Sequence, residues 1–366
     1  MSDLVDRPVR FDLAESTSPP VRLGELLTAE VVERLTRLDL GYGTSAGDPG
    51  LRRLIADGAA VGPDDVLVTV GAASAMYLLA LVCCEPGDQV VVATPCFPPT
   101  RSVPEGLRAD VTPVALSFDD GYRLDVDAVS AALTPGTRLV SLASPQNPSG
   151  VRFTAEEIGR LIDRMDALAP HAVLLVDETY RETVYGRAAT PASAAGLGPR
   201  VVTCSSLSKS HGAAGLRVGW LSATDPDLRE SLRVAKFTTS VACSGVDEAL
   251  AAEVLRHGER LLAARRGPLT TALETLARWS AAHGDAVEFL PPDGGALCCL
   301  RLRRDRFDEP AVRRFYAALA QRDTRVAAGS WFGESDRVFR VGFGHLPARE
   351  FESALDRVAQ ALSSAS

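Results

Sequence analysis

Short apolar runs rich in β-branched residues recur along the chain, and each is followed by a stretch with helical character. These runs cover residues 66–71, 89–95, 138–145, 171–178 and 200–209. Strands that are apolar along their whole length are buried on both faces, as in a parallel sheet covered by helices. The sequence therefore predicts an α/β fold around a mostly parallel sheet. Residues 215–223 are predicted to add a strand at the edge of this sheet.

The pattern changes after about residue 244, where a long helical stretch leads into a region of mixed strands and helices. With 366 residues, of which 46% are hydrophobic, the chain is long enough for two domains. We predict a large domain over residues 46–240 and a connecting helix with a small α+β domain over 241–366. Residues 1–45 are predicted to form an N-terminal arm and part of the small domain.

Charge and composition argue against several classes of protein. The net charge is −8 and no basic run occurs, so we expect no nucleic-acid partner. The longest apolar stretch, 75–84, is about half a membrane span, and the charged N-terminus lacks the apolar core of a signal peptide. Seven cysteines without CxxC spacing favour reduced thiols over disulfides or zinc. We therefore expect a cytoplasmic protein that binds no metal.

Lysine is rare in this chain. Lys209 and Lys236 are the two lysines among 39 basic residues, and the other 37 are arginines. Unlike arginine, lysine loses its proton readily and can form an imine with an aldehyde. Lys209 lies among small residues just after a predicted strand, whereas Lys236 is predicted to be exposed to solvent. Taken alone, Lys209 is equally compatible with a leftover surface lysine.

Further candidate residues follow the predicted strands, and ligands of parallel α/β sheets bind where strands end. The loop 71–74 joins a strand to a helix, and its main-chain N–H groups suit a phosphate. Asn147 follows one strand, and Asp177 and Tyr180 follow another. The hydroxyl and guanidinium groups near Lys209 that suit a phosphate belong to Ser206, Ser208 and Arg217. Each signal taken singly also has an ordinary explanation, since tight turns need glycine and Asn-Pro marks turns.

The order of these residues resembles that of the class I and II aminotransferases, which are pyridoxal-phosphate enzymes of fold type I. The resemblance implies an α/β large domain with a mostly parallel sheet of seven strands and a small α+β domain. The resemblance covers residues 40–345 and rests on Ser206-x-x-Lys209, with Arg217 eight residues after the lysine. The matching positions, in order, are Tyr42, the Gly71 loop, Phe97, Asn147, Asp177, Tyr180, Lys209 and Arg340. The phrases "GDxVVVATP", "NPSG" and "LSKxxGxxGLRVGW" are similar to the capreomycidine-synthase-like and histidinol-phosphate-aminotransferase-like branches.

The resemblance implies a role for each position. Lys209 would bond the aldehyde of pyridoxal phosphate and then act as the base and acid of the reaction. Asp177 would pair with the ring nitrogen, and Phe97 would stack on the ring. Asn147 and Tyr180 would contact the phenolic oxygen of the cofactor. The residues implied to hold its phosphate are Ala72, Ala73, Ser206, Ser208 and Arg217.

Other implied roles concern the substrate and a second subunit. Arg340, with Asn147 beside it, would bind the substrate α-carboxylate through its planar fork of donors. Tyr42 would reach the phosphate in a neighbouring subunit, which implies a homodimer with shared sites. Two positions depart from the family pattern: Ala328 stands where proline is usual, and the arm has no glycine-rich segment. We hypothesise that Glu15 of the arm faces the substrate and favours a basic or polar side chain.

The implied function is transfer of an amino group from an L-amino acid to a 2-oxo acid. The branches resembled, and an arginine-rich composition typical of a GC-rich genome, suggest specialised metabolism in an actinomycete. The alternative is elimination, replacement, cyclisation or oxidation of a polar or arginine-like amino acid by the same residues. A non-catalytic cofactor-binding module and a nicotinamide dehydrogenase fit less well, the latter because the Gly71 loop lacks GxGxxG.

Overall fold

The structure is a computed structural model that describes residues 6–365. Its strands are β1 (Phe11–Asp12), β2 (Val66–Thr69), β3 (Gln89–Thr94), β4 (Asp110–Ala115), β5 (Thr137–Ala143), β6 (Val173–Asp177), β7 (Val201–Ser206), β8 (Gly219–Ala223), β9 (Val287–Leu290), β10 (Leu297–Leu302), β11 (Thr324–Arg325), β12 (Ala327–Ala328) and β13 (Val338–Gly342). Its α-helices are α1 (Ala29–Thr36), α2 (Pro49–Ala59), α3 (Gly71–Cys83), α4 (Pro99–Gly106), α5 (Val126–Ala132), α6 (Ala155–Leu168), α7 (Pro226–Ser240), α8 (Gly245–Arg256), α9 (Gly258–Ala282), α10 (Glu309–Ala320) and α11 (Ala348–Ala365). Residues 1–5 of the predicted N-terminal arm, and Ser366, lie outside the described residues.

The large sheet has seven strands in the order β2-β8-β7-β6-β5-β3-β4. β8 is antiparallel to both of its neighbours, and the other strands run in one direction. This confirms the predicted mostly parallel sheet. The prediction of β8 as an edge strand is wrong, because it lies between β2 and β7. The edge strand β4 gives no apolar signal, since Val114 is its one buried residue.

Helices cover both faces of this sheet. Along β3, Val90 belongs to one buried cluster and Val91 to another, which is the alternation expected of a strand. The first cluster includes Leu79 of α3, and the second includes Leu161 of α6. The sheet is therefore buried on both faces, which leaves the ends of its strands as the places where a ligand can reach it.

A second sheet, of four antiparallel strands in the order β12-β13-β10-β9, packs against α9, α10 and α11. Its core includes Phe315, Phe339 and Phe351, each at most 1% exposed. The strands predicted near the C-terminus correspond to β9, β10 and β13, and the short β1 of the arm pairs with β11. The predicted domain boundary near residue 240 falls between α7 and α8 and stays a prediction.

The helices differ from the sequence expectation in two places. The long helical stretch is divided at His257 into α8 and α9. Lys236, predicted to be exposed, has no exposed surface, so that prediction is wrong. It lies four residues after Leu232, on the side of α7 that faces the protein. Burial lowers the pKa of its amine, and the interactions with Cys243 and Glu248 partly oppose this shift.

None of the helices within residues 6–365 has both the length and the hydropathy that crossing a membrane requires.

Candidate active site

The parallel strands bring distant parts of the sequence to one edge of the large sheet. Gly71 follows β2, Asn147 follows β5, Asp177 ends β6 and Lys209 follows β7. Because these strands run in the same direction, their carboxyl ends lie side by side. β8 runs the opposite way and begins at this edge, which places Arg217, two residues before it, at the same location.

A cavity of about 350 Å³ opens at this edge. The predicted site residues that line it are Glu15, Ala72, Ala73, Phe97, Asn147, Asp177, Tyr180, Ser206, Ser208, Lys209, Arg217 and Arg340. Tyr42 does not line it and is 90% exposed, so its proposed contact with a second subunit stays a prediction. A larger cavity of about 700 Å³, between α9 and the arm, contains none of the predicted site residues.

Sequence reasoning missed several lining residues. Ser16 and Thr179 contribute hydroxyls to the cavity, and Trp331 and Phe332 contribute rings. Both rings follow Ala328 closely, in a segment whose sequence resembles the family pattern. This resemblance was the available signal for them. Ser16 had no signal of its own, because its contacts join residues far apart in the chain.

The amine of Lys209 points at the arm. Its Nζ is 3.5 Å from Glu15 Oε1, donates to Ser16 Oγ at 3.3 Å, and lies 6.0 Å from the centre of the Tyr180 ring. The main-chain N–H of Ser18 also donates to the main-chain oxygen of Lys209, at 3.1 Å. The arm and the lysine loop therefore form one hydrogen-bonded wall of the cavity.

Glu15 is an ionised carboxylate in this wall. Burial raises the pKa of its carboxyl, but the charge of Lys209 and the N–H groups of Ser16 and Thr17 lower it. Those N–H groups donate to Oε1 at 2.7 and 2.9 Å, and the charge of Arg340 adds to their effect. The net pKa lies below the ordinary value, so Glu15 is negatively charged at neutral pH.

Asp177 is a carboxyl surrounded by protein and open to the cavity. Its Oδ1 accepts hydrogen bonds from the main chain and the hydroxyl of Thr179, at 3.0 and 2.5 Å. Burial raises the pKa of Asp177, although Thr179, Cys204 and the charge of Lys209 act in the opposite direction. A buried acid of this kind is stabilised by a cationic partner, and a protonated ring nitrogen is one.

Arg340 lines the cavity and has one donor nitrogen without a partner in the described part of the chain. Its Nη1 donates to Asn147 Oδ1 at 2.7 Å, and its Nη2 donates to the main-chain oxygen of Ala14. Its guanidinium lies 4.8 Å from the centre of the Phe332 ring. Among residues 6–365, nothing accepts a hydrogen bond from the buried Nε. Since an unsatisfied buried donor is costly, this group suits an anionic ligand such as a carboxylate.

The opposite end of the cavity suits a phosphate. α3 begins there at Gly71, which has a φ of +76°. A Cβ on Gly71 would meet Nη2 of Arg217 at 2.5 Å, so the guanidinium lies against the first turn of the helix. Helix N-termini and arginine both favour anions. Ser206 and Ser208 line the same cavity.

These groups fit pyridoxal phosphate. The cavity is lined by an acid for the ring nitrogen in Asp177, a guanidinium for the phosphate in Arg217, and an amine for the aldehyde in Lys209. The aromatic side chain of Phe97 lines it as well. The orphaned Nε of Arg340 leaves a donor for a substrate carboxylate.

Known proteins match along most of the chain. A family model described as aminotransferase class I and II matches residues 21–358. Capreomycidine synthase of Streptomyces vinaceus is 31% identical over 96% of this chain and 90% of its own length. The arginine–pyruvate transaminase AruH of Pseudomonas aeruginosa is 32% identical over 80% of this chain and 75% of its own. Among solved structures, the PLP-dependent cyclase OrfR has a TM-score of 0.86 and 29% identity, over 99% of this chain and 95% of that one.

Gly71→Ala tests the phosphate end of the cavity. The added methyl group would meet the Arg217 guanidinium, and alanine is strained at a φ of +76°. Displacing this guanidinium removes a charge-assisted hydrogen bond to the phosphate of about 1.5–3 kcal/mol, which corresponds to about a tenfold or greater loss of affinity for pyridoxal phosphate. The measurement is an absorbance titration of the apoprotein with the cofactor.

Gly215→Ala is the matched control, since a Cβ there meets no atom within 4 Å. It is expected to bind the cofactor as the parent does. Equal affinities for all three proteins would contradict the assignment of this end to the phosphate.

Proposed function

The chain belongs to the aminotransferase class I and II family of pyridoxal-phosphate-dependent enzymes, and on this premise we propose that it transfers the amino group of a basic L-amino acid to a 2-oxo acid. One observation supports this most strongly: Lys209, Asp177 and Arg340 meet in a single cavity of about 350 Å³. They are an amine, a buried acid and a donor without a partner, which are the groups that such a reaction requires.

The amine of Lys209 carries the proton in this proposal. Pyridoxal phosphate, when bound, supplies an aldehyde that bonds to amines and a ring that accepts the electron pair left on the substrate α-carbon. Lys209 Nζ takes the α-proton of the substrate and later returns a proton. Asp177 keeps the ring nitrogen protonated, because its buried carboxylate is stabilised by that positive charge.

The remaining residues bind and orient. Arg340 holds the substrate α-carboxylate through its unused donor, and Asn147 fixes the guanidinium by the 2.7 Å hydrogen bond to Nη1. Tyr180 and Asn147 contact the phenolic oxygen of the cofactor, and Phe97 covers its ring. The proposed phosphate ligands are Ala72, Ala73, Ser206, Ser208 and Arg217.

Glu15 supports a basic substrate. Its nearest cation is the amine of Lys209, at 3.5 Å. The Glu15 carboxylate also borders the cavity, where a negative charge would favour a second cation. The ammonium or guanidinium of a basic amino acid supplies one. The name of AruH gives arginine and pyruvate for that relative, which agrees with this choice.

Cyclisation is the second candidate. Two of the similar proteins are a capreomycidine synthase and a PLP-dependent cyclase, and both match over more than 90% of this chain. The residues proposed above for proton transfer serve either outcome, because each begins with loss of the substrate α-proton. The products therefore decide between the two reactions.

We also propose a homodimer in the cytoplasm. Tyr77 and Leu81 of α3 and Phe237 of α7 are exposed apolar side chains on neighbouring helices. A second copy would cover this surface. Tyr42, 90% exposed, would then reach the phosphate of the partner subunit. Free thiols at all the described cysteines suit a reducing compartment.

Single amino acids added to the purified holoprotein test the reaction. With arginine, lysine or ornithine we expect the absorbance band of the bound cofactor to change to that of its amine form. A 2-oxo acid should then restore the original band, because the amino group has been passed on. A cyclised amino acid, ammonia or peroxide without the amine form would favour the second candidate. A band that no amino acid alters would contradict both.

Glu15→Gln tests the preference for basic substrates. Glutamine keeps an oxygen for the N–H groups of Ser16 and Thr17 but removes the charge. Loss of a charged contact of about 1.5–3 kcal/mol should lower kcat/KM for arginine relative to leucine by about tenfold or more. Glu25→Gln is the control, since Glu25 lies outside the cavity and should leave the ratio unchanged. If Glu15→Gln lowered kcat/KM equally for arginine and leucine, the proposed preference for basic substrates would be wrong.

A further inference from the structure

The hydroxyl of Ser16 lies between two groups of the proposed active site. Its Oγ accepts a hydrogen bond from Lys209 Nζ at 3.3 Å and lies 2.8 Å from Tyr180 Oη. Ser16 is 1% exposed, so bulk water has little access to it. The family resemblance assigns no role to this position, and its contacts are therefore a separate observation.

The role proposed for Tyr180, donation of its O–H to the cofactor, sets the direction of these hydrogen bonds. A protonated lysine amine only donates, so Ser16 Oγ is the acceptor from Lys209. The single proton of the Ser16 hydroxyl is then available for Tyr180 Oη, the other group within hydrogen-bonding distance. Tyr180 Oη accepts this hydrogen bond, and the O–H of Tyr180 then donates into the cavity. The chain of donors therefore runs from Lys209 through Ser16 to Tyr180.

The arm holds Ser16 in this position from both sides. On one side, the main-chain oxygen of Leu13 accepts a hydrogen bond from Gly342 of β13 at 2.7 Å. On the other side, the N–H of Ser18 donates to the main-chain oxygen of Lys209 at 3.1 Å. A Cβ on Gly342 would overlap the arm's main chain, so a glycine is required for this close approach. Ser16 is thus attached both to the small sheet and to the lysine loop.

We propose that Ser16 is a positioning residue, which adjoins the Lys209 amine and acts through the Tyr180 hydroxyl by donating a hydrogen bond to it. Hydrogen bonds in a chain strengthen one another, so Tyr180 becomes a stronger donor when Ser16 donates to it. The acceptor at the end of the chain is the phenolic oxygen of pyridoxal phosphate. This inference rests on the proposed function, because it takes Lys209 and Tyr180 to have the roles stated there.

The consequence is a spectroscopic one. A stronger donor at the phenolic oxygen favours its anionic form, and this lowers the pKa of the linkage between lysine and cofactor. Glu15 also lies 3.5 Å from the Lys209 amine, but it has no hydrogen bond to Tyr180 among the contacts of residues 6–365. An effect that passes through Tyr180 therefore separates Ser16 from Glu15.

The test is a pH titration of the cofactor absorbance in the holoprotein, without substrate. A hydrogen bond contributes about 0.5–1.5 kcal/mol, so Ser16→Ala should raise the pKa of the linkage by about 0.5 to 1 unit. Ser16→Thr keeps the hydroxyl and should restore most of the parent value. Ser130→Ala is the matched control, because Ser130 is a buried serine whose hydroxyl donates to Val126 within α5. Its titration should equal that of the parent.

The same substitution in a Tyr180→Phe background decides the route. Without the phenol, Ser16→Ala should cause almost no further shift, because the two changes remove one chain. A full shift in that background, no shift in the parent background, or loss of the band in Ser16→Ala alone would each overturn the proposal. A parent protein without any cofactor band would instead contradict the proposed function, and this inference with it.

Discussion

The active site depends on the parallel alignment of β2, β3, β5, β6 and β7. Their carboxyl ends share one edge of the sheet, so residues as far apart in sequence as Ala72 and Lys209 line one cavity. The antiparallel β8 completes the arrangement, because it starts at this edge and places Arg217 beside the first turn of α3. Every proposed cofactor contact from the large sheet follows from this single topological feature.

The arm and the small sheet supply the other half of the cavity. Arg340 of β13 donates to the main-chain oxygen of Ala14, and the arm in turn donates to the lysine loop. Substrate recognition is therefore connected by hydrogen bonds to the position of Lys209. The carboxylate of Glu15 lies beside the Lys209 amine in this wall, where the proposed basic side chain of the substrate would meet a negative charge.

Much of this site could be predicted because its residues follow strands that the sequence reveals as apolar runs. What could not be predicted has physical causes. β4 has one buried residue, and Asp110, Thr112 and Pro113 interrupt its apolar residues, so it lacks a continuous apolar run. The place of β8 depends on pairings distant in the chain. Lys236 breaks the rule that lysines face solvent. Ser16 contacts residues 164 and 193 positions away in the chain, and no motif in the sequence includes it.

The central claim is that the amine of Lys209 bonds the cofactor. Borohydride reduction of the holoprotein, followed by proteolysis and mass spectrometry of the peptides, measures this directly. We expect the added mass of the reduced cofactor on the peptide that contains Lys209. The peptide that contains the buried Lys236 should carry no added mass. Modification of Lys236, or a reduced protein without any modified lysine, would contradict it.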